Sequence, residues 1–587
     1  MPIIISGAQS NNHYPVTLAK AINLMFNHFV NLAQHKVYLT LLVSIILCSC
    51  GGSGNSPTEN KPIQFPEPEV IAQPPGPELI KFVDITASSG LIHNHSTIEE
   101  ENIDVFSGGL ALGDVNEDGL TDIYVVGGDA GTNALYLNQG AMRFEKDSVL
   151  TNIMLENVPT VGAMFADYDG DGDDDLFIGG VKGEKVRLFR NDSGIFSDFT
   201  LGSGLDVIDK INNFSFAFGD YDLDGDLDMF VTHRLGSGPL ISSLDESTQH
   251  LWRNNNDGTF TDVSEVSGVS YAMTLNKLSQ DSDGYDLSFT PNFSDVNNDG
   301  WPDLLVVADF GRSKVLINQG QSSAEQEVIF VNTTDSTQIT DTSGMGSAVA
   351  DFDNDGDLDW FVSSISRSPS GQGASVYTGN MFYENTGDGS FINTTQITDV
   401  SIGFWAWGSC AADFNNDGFL DIFHVNGYNT QDFGEDKSRL FISQGDGSFV
   451  ESAENVGISD SKSGRGVACF DANSDGDIDI VTMNNNDHMS FYENQSSNIG
   501  GYLTVDLLGP APNPKQIGAR IYVSAGSLDM MREVSYGNNY VSQTPVEQYF
   551  GLADASLIDS VRVVWPDGSE IKLQDIAINQ RILIEKQ

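Results

Sequence analysis

Asp351-Phe-Asp-Asn-Asp-Gly-Asp-Leu-Asp359 sets carboxylates at positions 1, 3, 5 and 9 of a nine-residue run, with Gly356 at position 6. A glycine at that point accepts the positive φ of a sharp turn without steric cost. Alternating oxygen side chains suit a hard divalent cation, which takes six or more oxygens, and the backbone carbonyl of position 7, Asp357, supplies one more. The run exits directly into Trp360-Phe361-Val362, an apolar segment of β type, so the loop joins two strands rather than two helices.

The same loop recurs six more times. Positions 1, 3, 5, 7 and 9 read Asp114, Asn116, Asp118, Leu120, Asp122; then Asp167, Asp169, Asp171, Asp173, Asp175; then Asp220, Asp222, Asp224, Asp226, Asp228; then Asp295, Asn297, Asp299, Trp301, Asp303. After the copy Asp351, Asp353, Asp355, Asp357, Asp359 come Asp413, Asn415, Asp417, Phe419, Asp421 and Asp471, Asn473, Asp475, Asp477, Asp479. Asp-Gly turns are common singly. Seven copies with the same positions filled, spaced 53 to 75 residues apart, are an internal repeat.

Each copy sits in a larger unit. A small and apolar segment such as Gly346-Ser-Ala-Val-Ala350 precedes it and a strand such as Leu304-Leu-Val-Val307 follows. A third segment ends in Asn or Gln, as in Leu135-Tyr-Leu-Asn138, and a turn such as Gly387-Asp-Gly389 leads to a fourth, as in Phe449-Val-Glu-Ser452. Four short strands per repeat predict the blade of a β-propeller. The last repeat stops after its third strand, Ser490-Phe-Tyr-Glu-Asn494, while Phe82-Val-Asp-Ile-Thr86 precedes the first loop with a fourth-strand pattern. That strand is expected to complete the seventh blade and leave no open edge.

These repeats resemble the FG-GAP, or VCBS, repeats of integrin α-chain propellers and of many bacterial surface proteins, over residues 82 to 496. The resemblance implies calcium in each inter-strand loop, up to seven Ca²⁺ in all. Chemistry agrees: an all-protein oxygen cage suits calcium over magnesium, and the loops hold neither His nor Cys for zinc. Beyond Asn494, Gln516-Ile-Gly-Ala-Arg520, Tyr540-Val-Ser-Gln-Thr544, Tyr549-Phe-Gly-Leu552 and Val561-Arg-Val-Val-Trp-Pro-Asp-Gly568 resemble the ASPIC and UnbV domain, which follows such propellers in the cartilage acidic protein family. That family usually has His where Tyr549 stands, so no role of that histidine carries over. The fold class is therefore all-β: a seven-bladed propeller with calcium loops over residues 78–498 and a small β-rich domain over 499–587.

At the amino end, Val37 to Leu47 is an apolar run preceded by His35-Lys36, too short to span a bilayer comfortably and followed by Cys48-Ser49-Cys50-Gly51. Residues 1–50 read as an export signal resembling that of bacterial lipoproteins, with Cys50 the lipidated residue; a plain secretory signal is the alternative, and Met25 is a second candidate start. Residues 51–77 are a Gly-, Ser- and Pro-rich tether. The chain is thus expected to be exported, as an outer-membrane or surface lipoprotein or in secreted form, touching membrane only through the anchor. Past residue 50 there remain Cys410 and Cys469, each in an apolar segment just ahead of a loop, expected as buried thiols with a disulfide as the alternative.

A net charge of −55 over 587 residues argues against nucleic acid as a partner, since that needs a basic footprint. No acid stands out from its six equivalents, so paired carboxylates are committed to loops; the rival expectation is a polysaccharide lyase or hydrolase on the same scaffold. The loops share one propeller face, whereas the long insertions, 234–250, 271–289, 363–379 and 426–438, open on the other. Loops on a rigid scaffold are where recognition residues sit. That face is expected to bind a glycan or an extracellular protein, with Arg234, Trp405, Trp407, His424 and Tyr428 as candidate contacts; Trp405 and Trp407 point the same way on one strand and are equally suited to line the channel.

Overall fold

The computed structural model describes residues 80–98, 103–207, 212–234, 250–274, 287–321, 327–366, 377–428, 433–497, 499–536 and 539–586. The export signal with Cys50, the tether and the middles of the four long insertions lie outside them.

Among the described residues, seven four-stranded antiparallel sheets make up the first part. Blade 5 shows the pattern: Gly344–Ala350 pairs with Asp359–Ser364, which pairs with Met381–Asn385, which pairs with Phe391–Asn393. The metal loop spans the first hairpin. The first strands crowd together: Leu110–Gly113, Thr160–Ala166, Asn213–Gly219, Ser288–Ser294, Gly344–Ala350, Ala406–Ala412 and Gly464–Phe470 each pack on the next, and the last packs on the first, closing a ring. The amino-terminal strand Phe82–Asp84 is the fourth strand of blade 7, in register with Asn494, Glu493 and Tyr492.

Apolar side chains from neighbouring blades interleave at every junction. Leu112, Ile123 and Tyr136 of blade 1 meet Phe470, Val481 and Phe491 of blade 7, for example. Cys410 and Cys469 correct the expectation of free thiols: they form a disulfide, Cα to Cα 6.3 Å, between the first strands of blades 6 and 7. Each cysteine is isolated within its own blade; the ring sets consecutive first strands side by side and so brings the two within bonding reach.

The second part is two small sheets. One runs in the order Leu528–Glu533, Arg520–Ala525, Ile558–Val564, Glu570–Ile576; in the other, Tyr502–Leu508 lies between Gln548–Gly551 and the parallel strand Gln580–Glu585. Trp565 is buried in a core that runs without a break from this domain into blades 2 and 3, through Tyr536, Phe218 and Met229.

The carboxy-terminal domain sits on the face that carries the metal loops and sends residues 539–543 down the propeller axis. Val541 N donates to Ser215 Oγ at 2.9 Å, Val467 N to Ser542 Oγ at 3.1 Å, and Gln543 both donates to and accepts from the backbone of Phe165. Gly109 lets the tip in, since a Cβ there would lie 2.3 Å from the carbonyl oxygen of Val541. Val541 itself is held at φ 47°, a left-handed conformation that a β-branched residue adopts only when its surroundings impose it. From the opposite face Phe106 reaches the axis among Phe214, Phe289 and Trp407, and its carbonyl accepts the Tyr540 hydroxyl at 2.7 Å. The channel is filled from both ends.

Candidate metal centre

In all seven loops the Gly at position 6 donates its N–H to Oδ2 of the position 1 Asp, at 2.8–3.2 Å. The N–H of position 7 donates to the position 5 carboxylate at 2.9–3.2 Å. These short-range bonds curl the chain so that positions 1, 3 and 5 turn inward. Position 4 must take positive φ as well, 53–62° at Glu117, Leu223, Asn298, Asn354, Asn416 and Ser474, with Gly170 in the remaining loop.

Position 9 is different. One carboxylate oxygen accepts the backbone N–H at the end of the third strand at 2.8–2.9 Å, the other the N–H of position 2 at 3.0–3.3 Å. This carboxylate therefore bolts the loop to the blade whether or not it also faces a cation. Burial pushes Asp122, Asp303 and Asp359 up to about 8 and Asp175 up to about 10, against a usual 3.8.

Among the described residues three groups of carboxylates could hold a metal ion: Asp167, Asp169 and Asp175; Asp220, Asp222 and Asp228; Asp351, Asp353 and Asp355, each set offering ligand atoms within 4.8 Å of one another. Asp169, Asp220, Asp222 and Asp351 each keep a buried Oδ1 without a hydrogen-bond partner. Orphaned buried anionic oxygens are costly. A divalent cation is the group that fits them, and positions 1, 3 and 9 in the first two groups and 1, 3 and 5 in the third would hold it. These are the three loops with Asp at position 3. In three of the four Asn loops the side chain satisfies itself, Asn297, Asn415 and Asn473 each donating Nδ2 to the position 5 carboxylate at 2.9 Å.

Sequence reasoning missed two features of the site. The Asn that ends the third strand is an inter-blade clasp: Asn138, Asn191, Asn254, Asn318, Asn385 and Asn494 each donate Nδ2 to the position 2 carbonyl of the preceding blade's loop at 2.7–3.3 Å. Its recurrence was visible, but what it bonds lies one whole repeat away. The second is the cover over the loops. Lys515 pairs with Asp174, Arg520 donates to the carbonyl of Asp295 and to Asn298, and Tyr536 donates to Asp174 at 3.2 Å. Gly551 lies so close to loop 6 that a Cβ there would come within 2.0 Å of Asp413 Oδ2.

On the other face the candidate contacts divide. Trp405 and Tyr428, both half-buried, stack at 4.1 Å with planes 7° apart, and Phe433 meets Trp405 edge-on. Trp407 and His424 are corrected: both are buried and unavailable to a ligand. Trp407 donates Nε1 to the Gly427 carbonyl under the Arg465 guanidinium, and His424 lies against Phe361 with Nε2 beside the Asn380 amide. Packing of the filled axis takes the first, and the junction of blades 5 and 6 takes the second. Arg234 is engaged as well, paired with Asp309 at 3.1 Å between the rings of Phe106 and Phe289. A Ser–His contact, His95 Nε2 to Ser107 Oγ at 2.9 Å, is wired as structure: His95 Nδ1 accepts Asn486 N–H, and Ser107 Oγ donates to the Thr160 carbonyl.

Residues 114–178, 167–231, 295–362 and 371–424 match FG-GAP-like repeats, and residues 509–587 match the ASPIC and UnbV family. The chain is 24% identical over 500 residues to cartilage acidic protein 1 of Xenopus tropicalis, across 78% of this chain and 70% of that protein. With the Homo sapiens protein of the same name it shares 31% over 147 residues, 23% of this chain and 22% of the human length. Solved structures with similarity include an Agrocybe aegerita lectin described as recognising non-reducing terminal N-acetylglucosamine (TM-score 0.37, 19% identity, 59% of this chain and 79% of that one). Another is the exotype rhamnogalacturonan lyase YesX (TM-score 0.32, 13% identity, 84% and 91%).

Proposed function

We propose that this chain, which joins FG-GAP-like repeats to an ASPIC and UnbV domain, is a calcium-stabilised, exported binding module that takes a glycan or protein ligand on the propeller face opposite the metal loops. The observation that carries the calcium is the set of orphaned, buried carboxylate oxygens in the loops of blades 2, 3 and 5. Export is supported by the disulfide, which persists in oxidising compartments, and by the name of the cartilage relatives. In its lipidated form the chain hangs from the envelope by Cys50 and the tether. No described helix is long and apolar enough to cross a membrane.

Topology supports the choice of face. The carboxy-terminal domain packs on the loop face and the axis is filled, and among the described residues of the opposite face the half-buried Trp405–Tyr428 stack is the candidate contact. Calcium acts at a distance there, by keeping the hairpins that frame the face in register.

The test is a glycan and extracellular-protein array probed with the purified chain in calcium and in chelator, followed by a product assay on every hit. Calcium-dependent capture that Trp405→Ala weakens at least tenfold is the expected result. Capture indifferent to both would sink the proposal, and product formation from a captured polysaccharide would move the chain to the enzyme alternative.

A further inference from the structure

Away from the metal loops, unpaired polar groups gather on the opposite face of blade 6. Trp405 stacks on Tyr428 there and meets Phe433 edge-on. Beside these rings three side-chain atoms lack a hydrogen-bond partner: Trp405 Nε1, Asp436 Oδ2 and Arg439 Nε. Asp436 is 8% exposed, and the Trp405 backbone N–H and the Arg439 charge both act on its carboxylate, so the three belong to one cluster. Main-chain bonds hold it together. Tyr428 N and Asp436 N both donate to the Phe433 carbonyl at 3.3 Å, and Gly427 N donates to the Trp405 carbonyl at 3.1 Å. Phe404, with the Arg439 guanidinium 4.3 Å from its ring centre, is held at φ 65°, a left-handed conformation that a bulky residue adopts only under constraint.

The unpaired atoms define what is missing. Two N–H groups need acceptors and one carboxylate oxygen needs a donor; left unmade, such bonds cost stability. A hydroxyl accepts and donates at once. Neighbouring hydroxyls on one sugar ring therefore serve all three atoms while the C–H face of the ring lies on an aromatic side chain. That mix of apolar wall and few placed polar groups is the make-up of a ligand site. A protein partner carries its hydroxyls and amides on separate residues, whereas a sugar carries them on adjacent carbons, which suits three atoms grouped about one indole. Charge narrows the class further. Arg439 already pairs with Glu451 at 3.1 Å and the adjacent Lys437 with Glu454, while Asp436 would repel an acidic sugar.

We propose that Trp405, Asp436 and Arg439 form the polar grip of a subsite for a neutral sugar ring. The inference rests on the reading that this face takes the ligand, and it selects a neutral glycan over a protein.

The full chain in calcium, applied to an array of neutral and acidic oligosaccharides beside immobilised extracellular proteins, tests this. Neutral oligosaccharides should be captured. Asp436→Asn keeps the size of the side chain and removes its charge, and Trp405→Phe keeps a ring without the N–H; each should weaken the captured sugar about tenfold or more by titration calorimetry. Neither should lower the melting temperature of the free chain, since the atoms removed bond nothing within it; a purely structural role would lower it and leave affinity alone. Capture of proteins but no oligosaccharide, or of acidic oligosaccharides only, overturns the inference and leaves the choice of face standing. So does a neutral sugar whose affinity neither substitution moves. A chain that captures nothing overturns both.

Discussion

At the scale of single residues, the loop acids do two jobs that the sequence writes with one letter. Asp353 at position 3 offers oxygens to a cation, whereas Asp359 at position 9 spends both of its oxygens on the N–H groups of Asn385 and Phe352. Asp359→Ala leaves two buried donors without acceptors and should cost about 2 to 4 kcal/mol by denaturant unfolding, in calcium and in chelator alike. Asp353→Ala should cost stability in calcium only; equal costs in both solvents for both variants would refute the division. Buried histidines supply one part of the pH dependence, opposed by the loop aspartates that burial raises. Burial holds His93 and His250 down to about 4 and His95 and His424 down to about 3, from 6.5. At these four sites the unfolded chain binds more protons, so the stability they contribute is full above pH 6.5 and is lost as pH falls toward 4. Each group contributes about 1.4 kcal/mol per pH unit in that window. Measured in saturating calcium, the stability of a His424→Asn variant relative to the parent should shift in the variant's favour by about 1.4 kcal/mol per pH unit between pH 6.5 and 4.5, and a pH-independent difference would refute the assignment.

At the scale of elements, the repeat was legible because each hairpin carries its own instructions: loop, strand, turn and strand all sit within some forty residues. The blade, its closing strand at Phe82 and the shared face of the loops follow from that local pattern. What joins blade to blade was not legible, because its partners are a repeat apart. The clasp from Asn254 to the Tyr168 carbonyl spans 86 residues, and Cys410 finds Cys469 only after the ring has closed. Blade 6 is the exception that tests the clasp. Ser443 stands where the other blades have Asn; its backbone N–H still reaches Asp421, but its side chain is too short to reach the Phe352 carbonyl of blade 5. Ser443→Asn should restore the missing bond and raise stability by about 1 kcal/mol, while Asn254→Ala should lower it by about 2 kcal/mol. A neutral result for both in urea unfolding would demote the Asn ring to turn residues.

At the scale of the whole molecule, the domains expected from sequence as separate pieces share a core and an axis. Composition and motif marked the boundary near residue 499 but said nothing of docking, because the docking surface is made of the loop glycines and acids themselves, each already accounted for by its own turn. Tyr540 shows how tightly the parts are joined. Its ring packs against Trp407 and Phe289, residues of blades 6 and 4, and its hydroxyl reaches the carbonyl of Phe106, which closes the axis from the far side. If the carboxy-terminal domain were a passenger, Tyr540→Ala would unfold that domain early and leave the propeller as it was. A shared core predicts otherwise: truncating a buried aromatic at the axis should cost about 3 to 5 kcal/mol of the stability of the entire unit. Calorimetry in calcium should show one transition for the parent chain and one, at lower temperature, for the variant. Two separated transitions in the parent, or a variant whose main transition does not move, would mean that the plug fills the channel without holding the ring.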